Sequence, residues 1–320
     1  CTGAQGLRDA EEMARLAAEA LCLSPELVGV ASTGVIGVPL PMDRVAAGIA
    51  AAAAALSPDG GEDAALAIMT TDTYPKQTAV QVEIGGKVAT IGAMAKGSGM
   101  IHPNMATMLC FVTTDAEVSP GALQAALRQA ADRSFNMITV DGDTSTHDMV
   151  VALANGLAGT PKVEPGTPEY QVFADALEQV LIHLAREIAR DGEGATKLIE
   201  VRVKGARSLE DARKAARSVC GSNLVKAAVF GEDANWGRVL AALGYSGAQF
   251  DPAKVDLWLG DVQMMRAGEP LAFDEETAAR VLSRKEVVFT ADLHAGDAEA
   301  TAWGCDLTYD YVKINGSYRT

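Results

Sequence analysis

The chain has 320 residues, of which 48% are hydrophobic and 22% charged, and its formal net charge is −15 at pH 7. A chain of this length can bury a large core as one domain or two. Its acidic balance argues against a nucleic-acid partner, because a phosphate backbone attracts clustered Lys and Arg. The longest apolar run, residues 45–56, is mostly alanine and falls short of the about 20 residues that span a bilayer, so we expect a packed helix there and no membrane segment.

Hydrophobic periodicity and turn residues predict helices and strands that alternate along the chain. The predicted helices cover residues 7–23, 45–56, 120–133, 168–191 and 234–243, and two more begin after Ser208 and Asp274. The predicted strands cover residues 28–32, 65–70, 79–84, 87–91, 108–112, 137–140, 199–203, 255–259, 286–293 and 307–314. Gly85-Gly86 predicts a hairpin between two of these strands. Together the elements predict an α/β (α+β) fold of layered mixed sheets with helices on the outer faces.

The stretch 96–115, KGSGMIHPNMATMLCFVTTD, joins a loop of turn-forming residues directly to an apolar run of strand length. Thr107 opens that run after the small residue Ala106, which leaves room for its hydroxyl to attack the preceding carbonyl. An N-to-O acyl shift followed by hydrolysis would make Thr107 a new amino terminus, whose amine could act as base for its own hydroxyl. By spacing alone, a β-branched residue opening a strand is the simpler interpretation.

Two polar stretches have compositions that are typical of ligand-binding loops. Residues 141–148, DGDTSTHD, carry three aspartates and a histidine, which suit a hard cation, but their spacing does not match the calcium-loop pattern. Residues 192–197, GEGATK, lack the gap and the residue order of a phosphate-binding loop. We therefore interpret the first as a polar loop beside a site and do not expect nucleotide binding at the second.

The cysteines indicate the cellular compartment, and the first residues indicate whether the chain is a fragment. Five cysteines are scattered along the chain without a C-x-x-C pair, which predicts a reduced, cytoplasmic protein. The chain opens with Cys1, with neither an initiator methionine nor a signal-peptide pattern, so we expect a fragment of a longer chain.

The segment KGSGMIHPNMATML resembles the self-cleavage segment of the ornithine acetyltransferase (glutamate N-acetyltransferase) family. Further segments resemble that family in the same order: STGVIG (32–37), MTTDTYPK (69–76), SFNMITVDGDTST (134–146), GEGATK (192–197), GEDANWGR (231–238) and INGSYRT (314–320). They span nearly the whole chain, and their order is more specific than any one of them. His147 departs from the family pattern, which more often has asparagine, and Met137 replaces a more usual arginine. Family members carry an additional amino-terminal region.

The resemblance implies a four-layer αββα sandwich of the N-terminal-threonine-nucleophile type. The chain would be cut at Ala106-Thr107 into an amino-terminal piece, 1–106, and a carboxy-terminal piece, 107–320, which stay associated as a heterotetramer of two copies of each. The implied reaction is ping-pong acetyl transfer from N2-acetyl-L-ornithine to L-glutamate in arginine biosynthesis, through an acetyl-Thr107 enzyme. It needs no metal and no cofactor, and acetyl-CoA remains open as a second acetyl donor.

The resemblance also implies roles for individual residues. The Thr33 hydroxyl and the Gly34 amide would form the oxyanion hole, where one donor is worth about 3 kcal/mol. Substrate contacts would come from Thr73, Lys96, Thr107, Glu193, Asn315 and Thr320.

Two alternatives stay open. One is an N-terminal-nucleophile aminopeptidase or amidase, in which water takes the acyl group. The other is a non-catalytic binding protein. The combination of Lys96, Glu193, Asn315 and Thr320 as an amino-acid site favours the transferase.

Overall fold

The computed structural model describes residues 1–102 and 108–317, within which the chain forms ten α-helices and ten strands. The helices are α1 (Gly3–Leu21), α2 (Met42–Ala54), α3 (Gly61–Ala67), α4 (Pro120–Arg133), α5 (Pro168–Arg190), α6 (Leu209–Gly221), α7 (Asn223–Phe230), α8 (Trp236–Gly244), α9 (Glu275–Leu282) and α10 (Tyr309–Ser317). The strands are β1 (Lys76–Ile84), β2 (Lys87–Lys96), β3 (Leu109–Thr114), β4 (Met149–Ala154), β5 (Leu198–Ala206), β6 (Asp256–Leu259), β7 (Val262–Arg266), β8 (Glu269–Pro270), β9 (Glu286–Asp292) and β10 (Ala298–Cys305).

The strands form two sheets, and both sheets are mixed. The first has the order β1-β2-β3-β4, in which β3 and β4 are parallel and the other neighbours antiparallel. The second has the order β10-β5-β9-β6-β7-β8, in which only β5 and β9 are parallel neighbours among the strands described. Helix α6 covers β5 and β10. The predicted mixed α/β class is therefore confirmed.

The hairpin of β1 and β2 follows directly from its turn residues. Gly85 and Gly86 form the two-residue turn with φ values of 56° and 79°. Positive φ at both positions matches the twist of a two-residue hairpin turn, and glycine adopts it without steric strain. The predicted hairpin is confirmed, and its second strand continues to Lys96.

Helix α5 packs against strands of both sheets. It contacts β1 and β2 in the first sheet and β10 and β5 in the second. Its buried large apolar side chains are Phe173, Leu177, Val180, Leu181, Leu184 and Ile188. Each contributes about 1.5–3 kcal/mol through burial. Helix α5 therefore contacts both sheets, and the four-layer αββα arrangement stays a prediction.

Four predicted strands do not form. Residues 28–32 are irregular, and residues 65–70 lie in α3 and the turn after it. Residues 137–140 follow a 3₁₀ turn with a single bridge from Ile138 to Trp303, and residues 307–314 run into α10. Conversely, β4, β7, β8 and β10 were not predicted. A short apolar run fits a helix as well as a strand, and the decision depends on whether a partner strand is available.

Helices α1 and α2 of the amino-terminal part pack against each other. Helix α2 forms over the alanine-rich run as predicted, but none of its residues is buried. The predicted helix therefore forms and packs against α1, but it lies at the surface of the described chain. Within residues 1–102 and 108–317, no helix combines the length and the apolar character needed to cross a membrane.

The hairpin turn offers a stability test with a built-in control. Alanine at position 85 or 86 would hold a positive φ, which costs about 1–2 kcal/mol. A Cβ at position 85 would also collide with the ring of Pro161, whereas at position 86 it meets open space. We therefore expect Gly85→Ala to lower the free energy of unfolding more than Gly86→Ala in urea denaturation. Equal losses would contradict the packing of Pro161 on the turn.

Candidate active site

Lys96 ends β2 inside the protein, where it is 2% exposed. It pairs in register with Leu109 of β3, the second residue after Thr107. Burial lowers the pKa of Lys96, and the nearby Lys76 adds to this, while the carboxylates of Asp72, Glu193 and Asp148 oppose it. A buried ammonium group therefore lies at the end of β2, close to the start of β3.

A buried ion network lies beneath this position. The Nζ atom of Lys76 contacts Oδ1 of Asp72 at 2.7 Å and Oδ2 of Asp191 at 2.6 Å. The side chains of Lys76 and Asp72 are fully buried, and that of Asp191 is 4% exposed. We call these three residues the ion triad. Burial opposes ionisation of Asp72, but attraction to Lys76 and backbone hydrogen bonds outweigh it, so its pKa lies below the usual range.

The ion triad positions the backbone on both sides of the site. The amide of Gly97, next to Lys96, donates to Asp72 Oδ1 at 2.7 Å. The hydroxyl of Ser98 donates to the carbonyl oxygen of Asp191 at 2.7 Å. Thr73 donates its amide to Asp191 Oδ2 at 2.9 Å and its hydroxyl to the other carboxylate oxygen. In this structure the hydroxyl of Thr73, predicted to contact substrate, is therefore bonded to the triad.

The structure brings together Glu193 and Asn315, which are 122 residues apart. Asn315 Nδ2 donates to Glu193 Oε2 at 2.8 Å, and the Glu193 amide donates to the Ser98 carbonyl at 2.9 Å. Glu193 is 6% exposed, and its carboxyl group lies over Gly99, where a Cβ would collide with it. Both side chains line a cleft of about 260 Å³, together with Ile36, Met100, Asp141, Asp143, Thr144 and Tyr311. The two predicted substrate-binding residues thus share one cleft.

Thr33 and Gly34 lie in the loop of residues 32–38, which lines a second cleft of about 370 Å³. Thr33 Oγ1 lies 2.9 Å from Nε2 of His147, which lines the same cleft. Ile36 of the same loop reaches into the cleft of Glu193 and Asn315. The loop of the predicted oxyanion hole therefore adjoins the predicted amino-acid site.

Asp148 is a residue of the site whose role the sequence did not reveal. Its Oδ1 accepts the amide proton of Met108, the residue after Thr107, at 2.7 Å. Its Oδ2 is buried and receives no hydrogen bond from the part of the chain that the structure describes. Burial raises the pKa of Asp148 to about 6, against the opposing effects of the Met108 amide and Lys96. The only sequence signal was its place at the end of the acidic stretch 141–148.

The same stretch contains Asp141, whose carboxylate has a structural task. It accepts the amides of Met100 and Ile101 at 2.6 and 2.9 Å and so holds the segment that follows Ser98. In residues 1–102 and 108–317, no group of three or more His, Cys, Asp and Glu side chains is arranged to hold a metal ion.

Three predicted site residues lie outside the described residues. These are Ala106 and Thr107 at the predicted cut, and Thr320 at the carboxy terminus. Of the others, Thr33, Gly34, Lys96, Glu193 and Asn315 lie in or beside the two clefts, and Thr73 is attached to the ion triad.

Removal of the triad cation is expected to destabilise the protein strongly. Lys76→Met would leave two buried carboxylates without their counter-charge, which costs about 3–5 kcal/mol. Lys162→Met is the matched control, because Lys162 pairs with Glu164 at 2.7 Å and both side chains are at least half exposed. Such a pair contributes about 1 kcal/mol or less. Urea denaturation at pH 7 measures both losses, and similar values would contradict the structural role of the triad.

Comparisons with known proteins agree with the motifs. The sequence model of the ArgJ family matches residues 1–320. The arginine biosynthesis bifunctional protein ArgJ of Symbiobacterium thermophilum is 82% identical over 320 residues, which cover all of this chain and 80% of that protein. The protein of the same name from Geobacillus stearothermophilus is 56% identical over 320 residues and is covered to 78%.

A solved structure extends the agreement to three dimensions. The crystal structure of the arginine biosynthesis bifunctional protein argJ from Bacillus halodurans matches with a TM-score of 0.64 and 48% identity, over 65% of this chain and 98% of that chain. The motifs, the whole-length family match and the structural match agree, so the chain belongs to the ArgJ family.

Proposed function

We propose that this protein transfers an acetyl group from N2-acetyl-L-ornithine to L-glutamate in arginine biosynthesis, by a ping-pong route through acetyl-Thr107. The observation that carries the proposal is the convergence of Lys96, Glu193 and the loop of Thr33 around the start of β3, directly after Thr107. Relatives at 82% and 56% identity carry the name arginine biosynthesis bifunctional protein. The word bifunctional supports a second route, in which acetyl-CoA serves as acetyl donor to glutamate.

The chemistry begins with the hydroxyl of Thr107. Freed by cleavage, the Thr107 amine takes the proton of that hydroxyl as the oxygen attacks the acetyl carbonyl of the donor. The Thr33 hydroxyl and the Gly34 amide donate to the developing oxyanion. Ornithine leaves with the proton. The α-amine of glutamate then attacks the acetyl carbonyl of acetyl-Thr107, and the Thr107 oxygen leaves and recovers its proton. One nucleophile therefore serves both half-reactions.

Amino-acid recognition is assigned to the buried charges. The ammonium group of Lys96 pairs with the substrate carboxylate, and the carboxylate of Glu193 holds a free amino group of the substrate. Asn315 keeps the Glu193 side chain in place through their 2.8 Å hydrogen bond. Thr73 and Thr320 contact the substrate in the same assignment. Because Lys96 is 2% and Glu193 6% exposed, their attraction to a charged substrate is weakly screened by water.

The proposal includes processing into two pieces, 1–106 and 107–320, which assemble as two copies of each in the cytoplasm. Strands β2 and β3 pair over six residues, so the two pieces share one sheet across the cut. The match covers 98% of the Bacillus halodurans crystal chain but only 65% of this chain. The crystal chain is therefore shorter than this chain, as one of two separate pieces would be. Both observations support two pieces that stay together after cleavage.

The reaction is tested by kinetics. Initial rates at several concentrations of acetylornithine and glutamate should give parallel double-reciprocal lines, because the first product leaves before the acceptor binds. Intersecting lines would exclude the ping-pong route.

Incubation with acetylornithine alone separates the alternatives. A transferase should release about one equivalent of ornithine per site and stop until glutamate is added. An amidase would release acetate continuously, and a binding protein would release nothing.

Self-cleavage is tested at Thr107 itself. Thr107→Ala removes the attacking hydroxyl and should give one intact, folded chain without acetyl transfer, where the wild type gives two fragments on denaturing electrophoresis. Thr107→Ser retains a hydroxyl and is the matched control, expected to cleave slowly. Mass analysis should find Thr107 at a free amino terminus in the wild type. Two fragments from Thr107→Ala would indicate an external protease and remove the case for this nucleophile.

A further inference from the structure

The hydrogen bond between Thr33 and His147 joins two segments that are 114 residues apart. Thr33 Oγ1 lies 2.9 Å from His147 Nε2, and the other ring nitrogen, Nδ1, lies 2.8 Å from the hydroxyl oxygen of Thr146. The backbone amide of His147 donates to Ser145 Oγ at 3.4 Å. Both ring nitrogens are thus engaged by threonine hydroxyls, and the ring is fixed between the loop of Thr33 and the start of β4.

The direction of the Thr33 hydrogen bond decides what Thr33 can do. A threonine hydroxyl carries one proton and can also accept through its lone pairs. If Thr33 donates to Nε2, its only proton points at the imidazole and cannot stabilise an oxyanion. If Nε2 carries the proton and donates to Thr33, the Thr33 proton is available for the substrate. Only the second arrangement is compatible with an oxyanion hole at Thr33.

The direction of the Thr33 hydrogen bond also determines the role of the second ring nitrogen of His147. Burial lowers the pKa of His147, and the positive charge of Lys96 contributes in the same direction. Because an ordinary histidine already has a pKa below 7, this shift favours the neutral ring at pH 7. A neutral imidazole has one N–H donor and one acceptor nitrogen. With the proton on Nε2, Nδ1 must accept, and Thr146 supplies the donating hydroxyl. The chain of donors then runs from Thr146 through His147 to Thr33 and on to the oxyanion.

We propose that His147 is a positioning residue, which donates from Nε2 to Thr33 Oγ1 and so directs the Thr33 proton into the oxyanion hole. The inference rests on the proposed function, because it takes Thr33 as an oxyanion donor. It adds a residue and a hydrogen-bond direction to that assignment. In this assignment His147 acts through Thr33.

An isosteric pair of substitutions tests the direction of the bond. His147→Gln keeps an N–H donor near the position of Nε2, whereas His147→Glu has the same shape as Gln but only accepts at pH 7, which forces the Thr33 proton toward it. We expect His147→Gln to keep kcat within about 3-fold of the wild type. His147→Glu should lose on the order of 10²-fold in kcat, the loss that we also expect for Thr33→Ala, since that is the effect of one oxyanion donor. KM should change little in either variant. Equal kcat values for the Gln and Glu variants would overturn the inference.

A double variant separates positioning from direct charge repulsion. If Glu at position 147 acts through Thr33, Thr33→Ala/His147→Glu should be no slower than Thr33→Ala, because one functional unit has already been removed. Multiplicative losses would mean that the new carboxylate repels the oxyanion directly and would overturn the assignment. The rates are expressed per cleaved chain, with the cleaved fraction measured by mass, so that slower self-cleavage does not imitate a loss of kcat.

The same variants distinguish a failure of the His147 assignment from a failure of the proposed function. Wild-type kcat in Thr33→Ala would remove the oxyanion role of Thr33 and with it the His147 assignment, whereas acetyl transfer itself would stand. A loss in Thr33→Ala, together with equal kcat values for His147→Gln and His147→Glu, would overturn the His147 assignment and leave the proposed function intact. The absence of acetyl transfer by the cleaved wild type would overturn the proposed function.

Discussion

The ion triad of Lys76, Asp72 and Asp191 is the interaction on which the geometry of the site depends. Three charged side chains with almost no exposure to water are stable only when each is paired and hydrogen-bonded. The pairing connects three segments: the stretch before β1, the start of β1 and the end of α5. Through Gly97 and Ser98 it also holds the chain that follows Lys96. The predicted substrate-binding residues are therefore attached to a rigid buried network, and small shifts at the triad would move several of them together.

Burial gives this site its electrostatic character. The pKa of Lys96 is lowered and that of Asp148 is raised, so burial drives both groups toward their neutral forms. Placing an amino acid among them would add charges that offset those of Lys96 and Glu193. Lys96 and Glu193, both buried, offer charges of opposite sign, and this supports the proposed substrates, which carry both an amino group and a carboxylate.

The described residues also give a physical reason why the two proposed pieces would stay together after cleavage. Strand β2 precedes the predicted cut and β3 follows it, yet they pair in register from Ile91–Thr114 to Lys96–Leu109. Buried residues of the two strands face the same core, and α5 of the second piece covers β1 and β2 of the first. The two clefts likewise draw residues from both sides of the cut. Under the proposed cut, neither piece would hold all the residues that line the two clefts.

The sequence by itself determined those features whose cause is local. Gly85-Gly86 produced its hairpin, and Ser119, Thr167, Ser208 and Asp274 each cap the helix predicted after them, because a cap needs only the next three residues. The family motifs likewise pointed to most of the residues that line the cleft of Glu193 and Asn315, through resemblance rather than through geometry.

The tertiary structure alone decided what depends on distant partners. A strand at residues 307–314 was predicted where α10 forms, and β4 and β10 were missed, because strand formation requires a neighbour that periodicity cannot identify. Nothing in the sequence distinguished Lys76 from a solvated lysine, since its burial depends on Asp191, 115 residues away. The contact between Thr33 and His147 is of the same kind. Folding brings such pairs together, so only the folded chain reveals them.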